Sequence, residues 1–240
     1  MRIRGVASAA AVVLATTAAA LALVTVAHAA VLPVSSATLF ARTFATPTVP
    51  APLVLDTFTG PSGTSLAGRL ADTGQPWTVE LGSWGLDANR LRCSPCAAVS
   101  AAQLDAGSSR GVVEATLRLP PTGRAVGLVV AHRPGATGTS ALVAFYSDGV
   151  VLIQRVTSNG GVPVGLTQLA AAAVTDPPPN VDVRFSAERR GNRVTIVLNG
   201  AVVLQHTLST ADNTALTGTR HGLVSFGDAA TRFDQFQVLP

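Results

Sequence analysis

The sequence predicts an all-β, two-sheet antiparallel sandwich, and three observations lead there. From about residue 51 onward, short runs rich in Val, Ile, Leu, Thr and Phe recur at regular spacing. Within them apolar and polar side chains alternate, the period-two signature of a strand with one buried face. The connections are Gly, Pro, Asn and Asp clusters, and no amphipathic helical stretch follows the apolar N-terminal segment.

The N-terminal segment is read first, because it is removed from the fold. Met1-Arg2-Ile3-Arg4 is cationic, Gly5 to Val26 is uncharged and rich in Ala, Val and Leu, and Ala27-His28-Ala29 follows. A charged start, an apolar middle and a small-x-small exit form a secretory signal peptide at residues 1–29, cut after Ala29. The apolar stretch also approaches the ~20 residues of a bilayer span, so a retained anchor is the alternative. Against it stand the polar breaks at Ser8, Thr16, Thr17 and Thr25 and the lack of a charged stop. A cleaved chain is expected outside the cell, with no membrane association. Residues 30–50, with Pro33, Pro47 and Pro50 among Ser, Thr and Ala, read as a linker or arm. Residues 51–240 are then one domain, long enough for a single sizeable core.

Along that domain the first strands are expected at residues 53–58, 78–81, 90–93 and 97–104. The clearest run is 112–119, where Val113, Ala115, Leu117 and Leu119 share one face and Glu114, Thr116 and Arg118 the other. Strands at 125–131, 141–146 and 150–156 follow, with Ser147-Asp148-Gly149 as a hairpin turn. Residues 167–175 carry an Ala run and are ambiguous between strand and a helical turn. Residues 181–207 are a three-stranded meander. Arg190-Gly191-Asn192 makes its first turn, and Asn199-Gly200 makes the second, a type I′ dipeptide whose two positions need positive φ. In this meander Val183, Phe185, Val194 and Ile196 are expected in the core, with Asp182, Arg184, Arg193 and Thr195 facing outward. The last strands are expected at 222–226 and 233–238.

Charge excludes one function class. All 17 basic residues are arginine, against 13 acidic residues. Without Arg2 and Arg4 the excess falls to two, and the remaining arginines are scattered. Nucleic-acid binding wants a basic stripe, and none is present. Arg in place of Lys, beside abundant Ala, Val, Gly and Pro, resembles the coding bias of a GC-rich, actinobacterial-type genome. Cys93 and Cys96 form Cys-Ser-Pro-Cys. A zinc site needs about four ligands, and a redox motif needs a βαβ context. In an exported chain the remaining reading is a local disulfide.

Several segments together are similar to the concanavalin A-like lectin/glucanase (laminin G-like) jelly-roll superfamily. They are Asp56-Thr57-Phe58, Gly74-Gln75-Pro76-Trp77, Gly82-Ser83-Trp84-Gly85, the Val194–Gly200 strand and turn, Gly222-Leu223-Val224-Ser225-Phe226, and Phe233-Asp234-Gln235-Phe236. The resemblance spans roughly residues 52–240 and implies a jelly roll with one concave sheet. Members include carbohydrate binders, glycoside hydrolases and adhesion modules, so function must be argued from a site.

A retaining glycosidase needs two carboxyls about 5 Å apart, which the superfamily's glucanases carry as Glu-x-Asp-x-x-Glu on one strand. Here Glu80, Glu114 and Glu188 are the glutamates, and no strand holds acidic residues at i and i+2. Glu114 beside Arg118 reads as an ion-paired surface group. His132, His206 and His221 sit in no recognisable catalytic context, and no catalytic residue is assigned. Sugar binders offer aromatic faces and polar side chains. The candidates are Arg184 and Arg193 on the sheet face, Trp84, and Tyr146, Asp148 and Arg155 around one hairpin. The resemblance also implies a possible structural calcium, with Asp56, Asp228 and Asp234 as candidate ligands. The expected function is a secreted, non-catalytic module for carbohydrate or cell-envelope polymer. A sugar-active enzyme with an unusual site and a protein-interaction or adhesion domain are the alternatives.

Overall fold

The computed structural model describes residues 50–240, so the signal peptide and all of the arm except Pro50 lie outside the described residues. Fifteen strands and one short helix follow in order. They are β1 (Val54–Asp56), β2 (Thr78–Leu81), β3 (Trp84–Leu86), β4 (Leu91–Cys93), β5 (Ser100–Asp105), β6 (Gly111–Arg118), β7 (Ala125–His132), β8 (Gly138–Ser147), β9 (Val150–Asn159) and β10 (Val162–Ala173). Then come β11 (Asp182–Arg190), β12 (Arg193–Leu198), β13 (Ala201–Thr207), α1 (Thr210–Ala215), β14 (Arg220–Ser225) and β15 (Arg232–Leu239).

These build two antiparallel sheets. An eight-stranded sheet runs β13-β12-β11-β6-β15-β4-β3, with β1 also paired to β15. A seven-stranded sheet runs β10-β9-β8-β7-β14-β5-β2. Chain neighbours are split between the sheets, as β5 and β6 are, which makes the fold a sandwich with crossing connections rather than two meanders.

The core lies between the sheets and follows the alternation. Val113, Ala115 and Leu117 of β6 meet Val126, Leu128 and Val130 of β7, with Phe185, Ile196, Phe233 and Phe236 completing the layer, all nearly inaccessible to water. Burial of each large side chain contributes roughly 1.5–3 kcal/mol. Trp77 packs against Phe58 and Phe236, and Trp84 packs edge-on to Phe233. A second apolar cluster, Ala101, Val129, Ala141, Val143 and Val224, lies on the seven-stranded sheet outside that core.

The meander forms as the alternation requires. β11, β12 and β13 pair in sequence order at one edge of the eight-stranded sheet. Asn199 and Gly200 take φ values of 49° and 80°, as a type I′ turn needs. Val183, Phe185, Val194 and Ile196 are buried, and Asp182, Arg184 and Arg193 are exposed. Thr195 departs from expectation. It pairs with Glu188 and Gln205 but keeps only 7% exposure, because longer polar side chains beside it close over a small side chain.

Three elements differ from the expected order. Residues 167–173 of the ambiguous stretch at 167–175 belong to β10, which pairs with β9 along its length. Its open side has no strand partner, so little of it is buried and no periodic signal arises. The spacing of Trp77 and Trp84 suggests adjacent strands, but β2 and β3 lie in different sheets, β3 pairing with β4. α1 forms because Ser209 caps it, accepting from the Asp212 N–H at 3.0 Å.

Candidate functional site

The outward face of the eight-stranded sheet carries many charged and amide residues, because the polar phase of the alternation on β6, β11 and β15 falls there, with Val197 and Val202 among them on β12 and β13. On β11–β13 these side chains surround a depression of about 270 Å³ lined by Glu188, Arg190, Arg193, Thr195, Val202 and Gln205. Arg193 donates to the Gln205 side chain, and Arg190 pairs with Glu188. Next to it the Arg184 guanidinium lies 3.4 Å from Glu114, whose carboxylate also accepts from Gln237 at 2.7 Å. Thus the two arginines expected on this face are both there. Arg193 lines the depression, and Arg184 stands to one side with Glu114.

Further across, Arg90 clamps Asp182 through two bonds of 2.8 and 2.9 Å, and Arg118 adds a third at 3.0 Å. The bonds from Arg90 hold the Asp182 carboxyl below its usual range, and Asp182 in turn raises the guanidinium above its own. Asp234 is shifted the other way, upward, because burial outweighs the donors around it. None of these carboxylates is left free to face a substrate: each is held by a guanidinium or a backbone N–H.

A second depression, of about 290 Å³, lies at the β3 edge of the same sheet, where a bridge from Ser65 to Gly85 extends the edge by one more segment. Trp84, the aromatic candidate from the sequence, lines it but is 3% exposed and packs into the core. Its ring is therefore not a stacking platform. Its indole N–H has no acceptor among the described residues, a condition that costs about 1–3 kcal/mol. Arg92, Asp87 and the hydroxyls of Ser62, Ser65, Ser83 and Ser94 also line this depression. No sequence signal marked them, since the serines stand in separate loops and Arg92 is one of many scattered arginines.

Tyr146, Asp148 and Arg155 do not form a cleft. The Tyr146 ring is fully buried, and its hydroxyl bonds to Asp176 and, at 3.2 Å, to Arg124. Burial, with Asp176 adding to it, pushes that phenol up. Asp148 sits nearby, accepting from the Arg124 N–H at 3.2 Å. Arg155 lies toward the other end of β9, where it binds Asp212 of α1 at 3.0 Å. Arg155 follows the hairpin turn by several residues, and the length of β9 carries it away from Tyr146.

The candidate calcium ligands Asp56, Asp228 and Asp234 accept hydrogen bonds from the chain's own donors. β1 and β15 are neighbours, as expected, and Asp56 and Asp228 have donors on both carboxylate oxygens. Asp56 accepts from Arg69, from the Trp77 indole at 2.7 Å and from the Phe58 N–H at 2.8 Å. Asp228 accepts from the N–H groups of Ala230, Thr231 and Ala125 and from the Thr231 hydroxyl. Asp234 accepts from the Gln235 N–H. Lone pairs committed to N–H donors do not fit a hard cation that needs six to eight oxygens. Among the described residues no three His, Cys, Asp or Glu side chains could hold a metal ion. Cys93 and Cys96 are joined as a disulfide at the end of β4.

The sequence matches no known family model, and no curated protein matches it. Among solved structures it is similar to the carbohydrate-binding module CBM66 from Bacillus subtilis, at TM-score 0.52 and 19% identity over 67% of this chain and 92% of that one. It is also similar to SCLam, a non-specific endo-beta-1,3(4)-glucanase from family GH16, at 0.54 and 11% over 81% and 92%. A protein of unknown function with a galectin-like fold, also from Bacillus subtilis, aligns at 0.50 and 13% over 75% and 96%. The fold shared with these structures is a two-sheet antiparallel jelly-roll sandwich. At these identities the likeness is one of fold.

Proposed function

We propose that this protein is exported and acts as a non-catalytic module that binds carbohydrate or cell-envelope polymer on the outward face of its eight-stranded sheet. The observation that carries the reading is the depression on β11–β13, where Arg193, Gln205, Glu188 and Thr195 set donors and acceptors side by side around Val202. A sugar presents the matching surface, hydroxyls that both give and take hydrogen bonds beside apolar C–H edges. Similarity in fold to a carbohydrate-binding module and to a protein with a galectin-like fold supports the same reading. The carboxylates on this face are clamped by arginine rather than paired with one another. That arrangement suits recognition and offers no general acid beside a nucleophile.

Two experiments test it. Intact-mass analysis of protein from the culture medium gives a chain beginning at Ala30, whereas recovery only from membranes with residues 1–29 attached contradicts export. A glycan-array screen of the secreted chain finds a polysaccharide ligand that is bound and not cleaved.

A further inference from the structure

We propose that the depression beside Trp84 is a second recognition site, built for an anionic group carried on a sugar or polyol. It deepens the carbohydrate reading by naming the ligand as acidic, and it rests on that reading. Charge is the first argument. Asp87 accepts from Arg232 through two nitrogens at 2.8 Å and faces Arg92 at 3.6 Å. One carboxylate between two guanidiniums leaves the local sum at +1, and Asp87 is the more tightly held by Arg232. Arg92 touches Asp87 only beyond hydrogen-bond distance, and its side chain is 37% exposed. It keeps the planar donor fork that matches a carboxylate or phosphate.

Donor supply is the second argument. The Ser62 hydroxyl already accepts from the Ala88 N–H at 2.9 Å, and the Ser65 hydroxyl from the Ala67 N–H at 3.2 Å. Each thus holds a backbone donor on its oxygen and keeps its own hydrogen to give. Ser83 and Ser94 are exposed beside them, with their backbones tied at 2.8 Å. Trp84, part of the same wall, retains an indole N–H without an acceptor among the described residues. A wall of surplus donors around one net positive charge calls for a ligand rich in acceptors.

The shape of the sheet extends the argument to ligand length. The β11–β13 depression centres on β12, and β12 and β3 stand five strand positions apart in the sheet order. At about 4.8 Å per strand the two sites are about 24 Å apart. A polymer bearing repeated acid groups can reach both, and a monosaccharide cannot.

The test uses the secreted chain and three probes: an oligouronate, the same oligosaccharide with its carboxyls reduced to alcohols, and glycerol phosphate. The expected result is at least tenfold tighter binding of an anionic probe than of the reduced one, with the gap narrowing as salt rises. Arg92→Gln removes that preference at unchanged melting temperature, and Ser94→Ala weakens binding in the same direction. The anionic probe changes the fluorescence of Trp84, which Trp84→Phe identifies against Trp77. Preference for the oligouronate or for glycerol phosphate tells a carboxylate from a phosphate source. Equal binding of charged and reduced probes, unaffected by Arg92→Gln but weakened by Arg193→Ala, overturns this inference and leaves the carbohydrate reading standing. No binding of any probe overturns the inference too, and a blank glycan array beside it overturns both.

Discussion

Phe185 is fully buried between the sheets, opposite Leu198 on one side and Ala115 on the other. Its truncation leaves a cavity that neighbouring strands cannot close, so Phe185→Ala is expected to cost about 3–5 kcal/mol in urea denaturation. Arg193→Ala, on the outward side of the same meander, is expected to stay within about 0.5 kcal/mol. His221 gives a pH signature. It is 1% exposed on the inner side of β14, with Nε2 bonded to the Ser108 carbonyl at 2.8 Å and Nδ1 accepting from the Ala131 N–H at 3.4 Å. Burial lowers its titration, only partly opposed by the bond to the Ser108 carbonyl and by Asp105, and Arg189 lowers it further. The unfolded chain takes up this proton first, near pH 6.5. The stability is therefore complete above that pH and is lost as pH falls below it. His132 shifts in the same direction, also through burial. Asp182, Asp105 and Asp212 are lowered, so their contribution is lost only under about pH 3.8. Melting temperature should fall in two stages on acidification, and His221→Gln should flatten the first. An unchanged slope between pH 7.5 and 5 in that variant would contradict the assignment.

At the scale of elements, what could be read in the sequence depended on burial. The strands at 78–81, 193–198 and 201–207 appear where expected, since each is bounded by strong turn residues. β10 was obscured because an edge strand exposed on most residues has no alternation to show. Among the site candidates, the outward placement of Arg184 and Arg193 was legible because they fall on the polar phase of a regular alternation. The Ser62–Ser94 wall was not, because it is assembled from loops that meet only after β3 and β4 pair. Gly222 shows how tightly β14 meets its neighbour: a Cβ there would lie 2.0 Å from the Ala102 carbonyl oxygen of β5. Gly222→Ala must push the strands apart and is expected to cost about 1–3 kcal/mol. The Cys93–Cys96 disulfide closes a sequence separation of three. Reducing it should cost only about 2 kcal/mol by chain entropy and leave the fold intact. Circular dichroism with and without reductant checks this, and unfolding at 25 °C on reduction would contradict it.

For the whole molecule, the contrast between the two faces of the eight-stranded sheet organises the account. One face fills the core with Val, Leu and Phe, and the other presents guanidinium–carboxylate pairs from β11 across to β4. The inner face sets stability, and the outward face is free to recognise a ligand at little cost to the fold. The most direct measurement is isothermal titration of a polysaccharide found by the array against the wild-type chain and Arg193→Ala, with melting temperatures recorded in parallel. The account predicts at least a tenfold loss of affinity in the variant at an unchanged melting temperature. Equal affinity in the two proteins would contradict a site on that face.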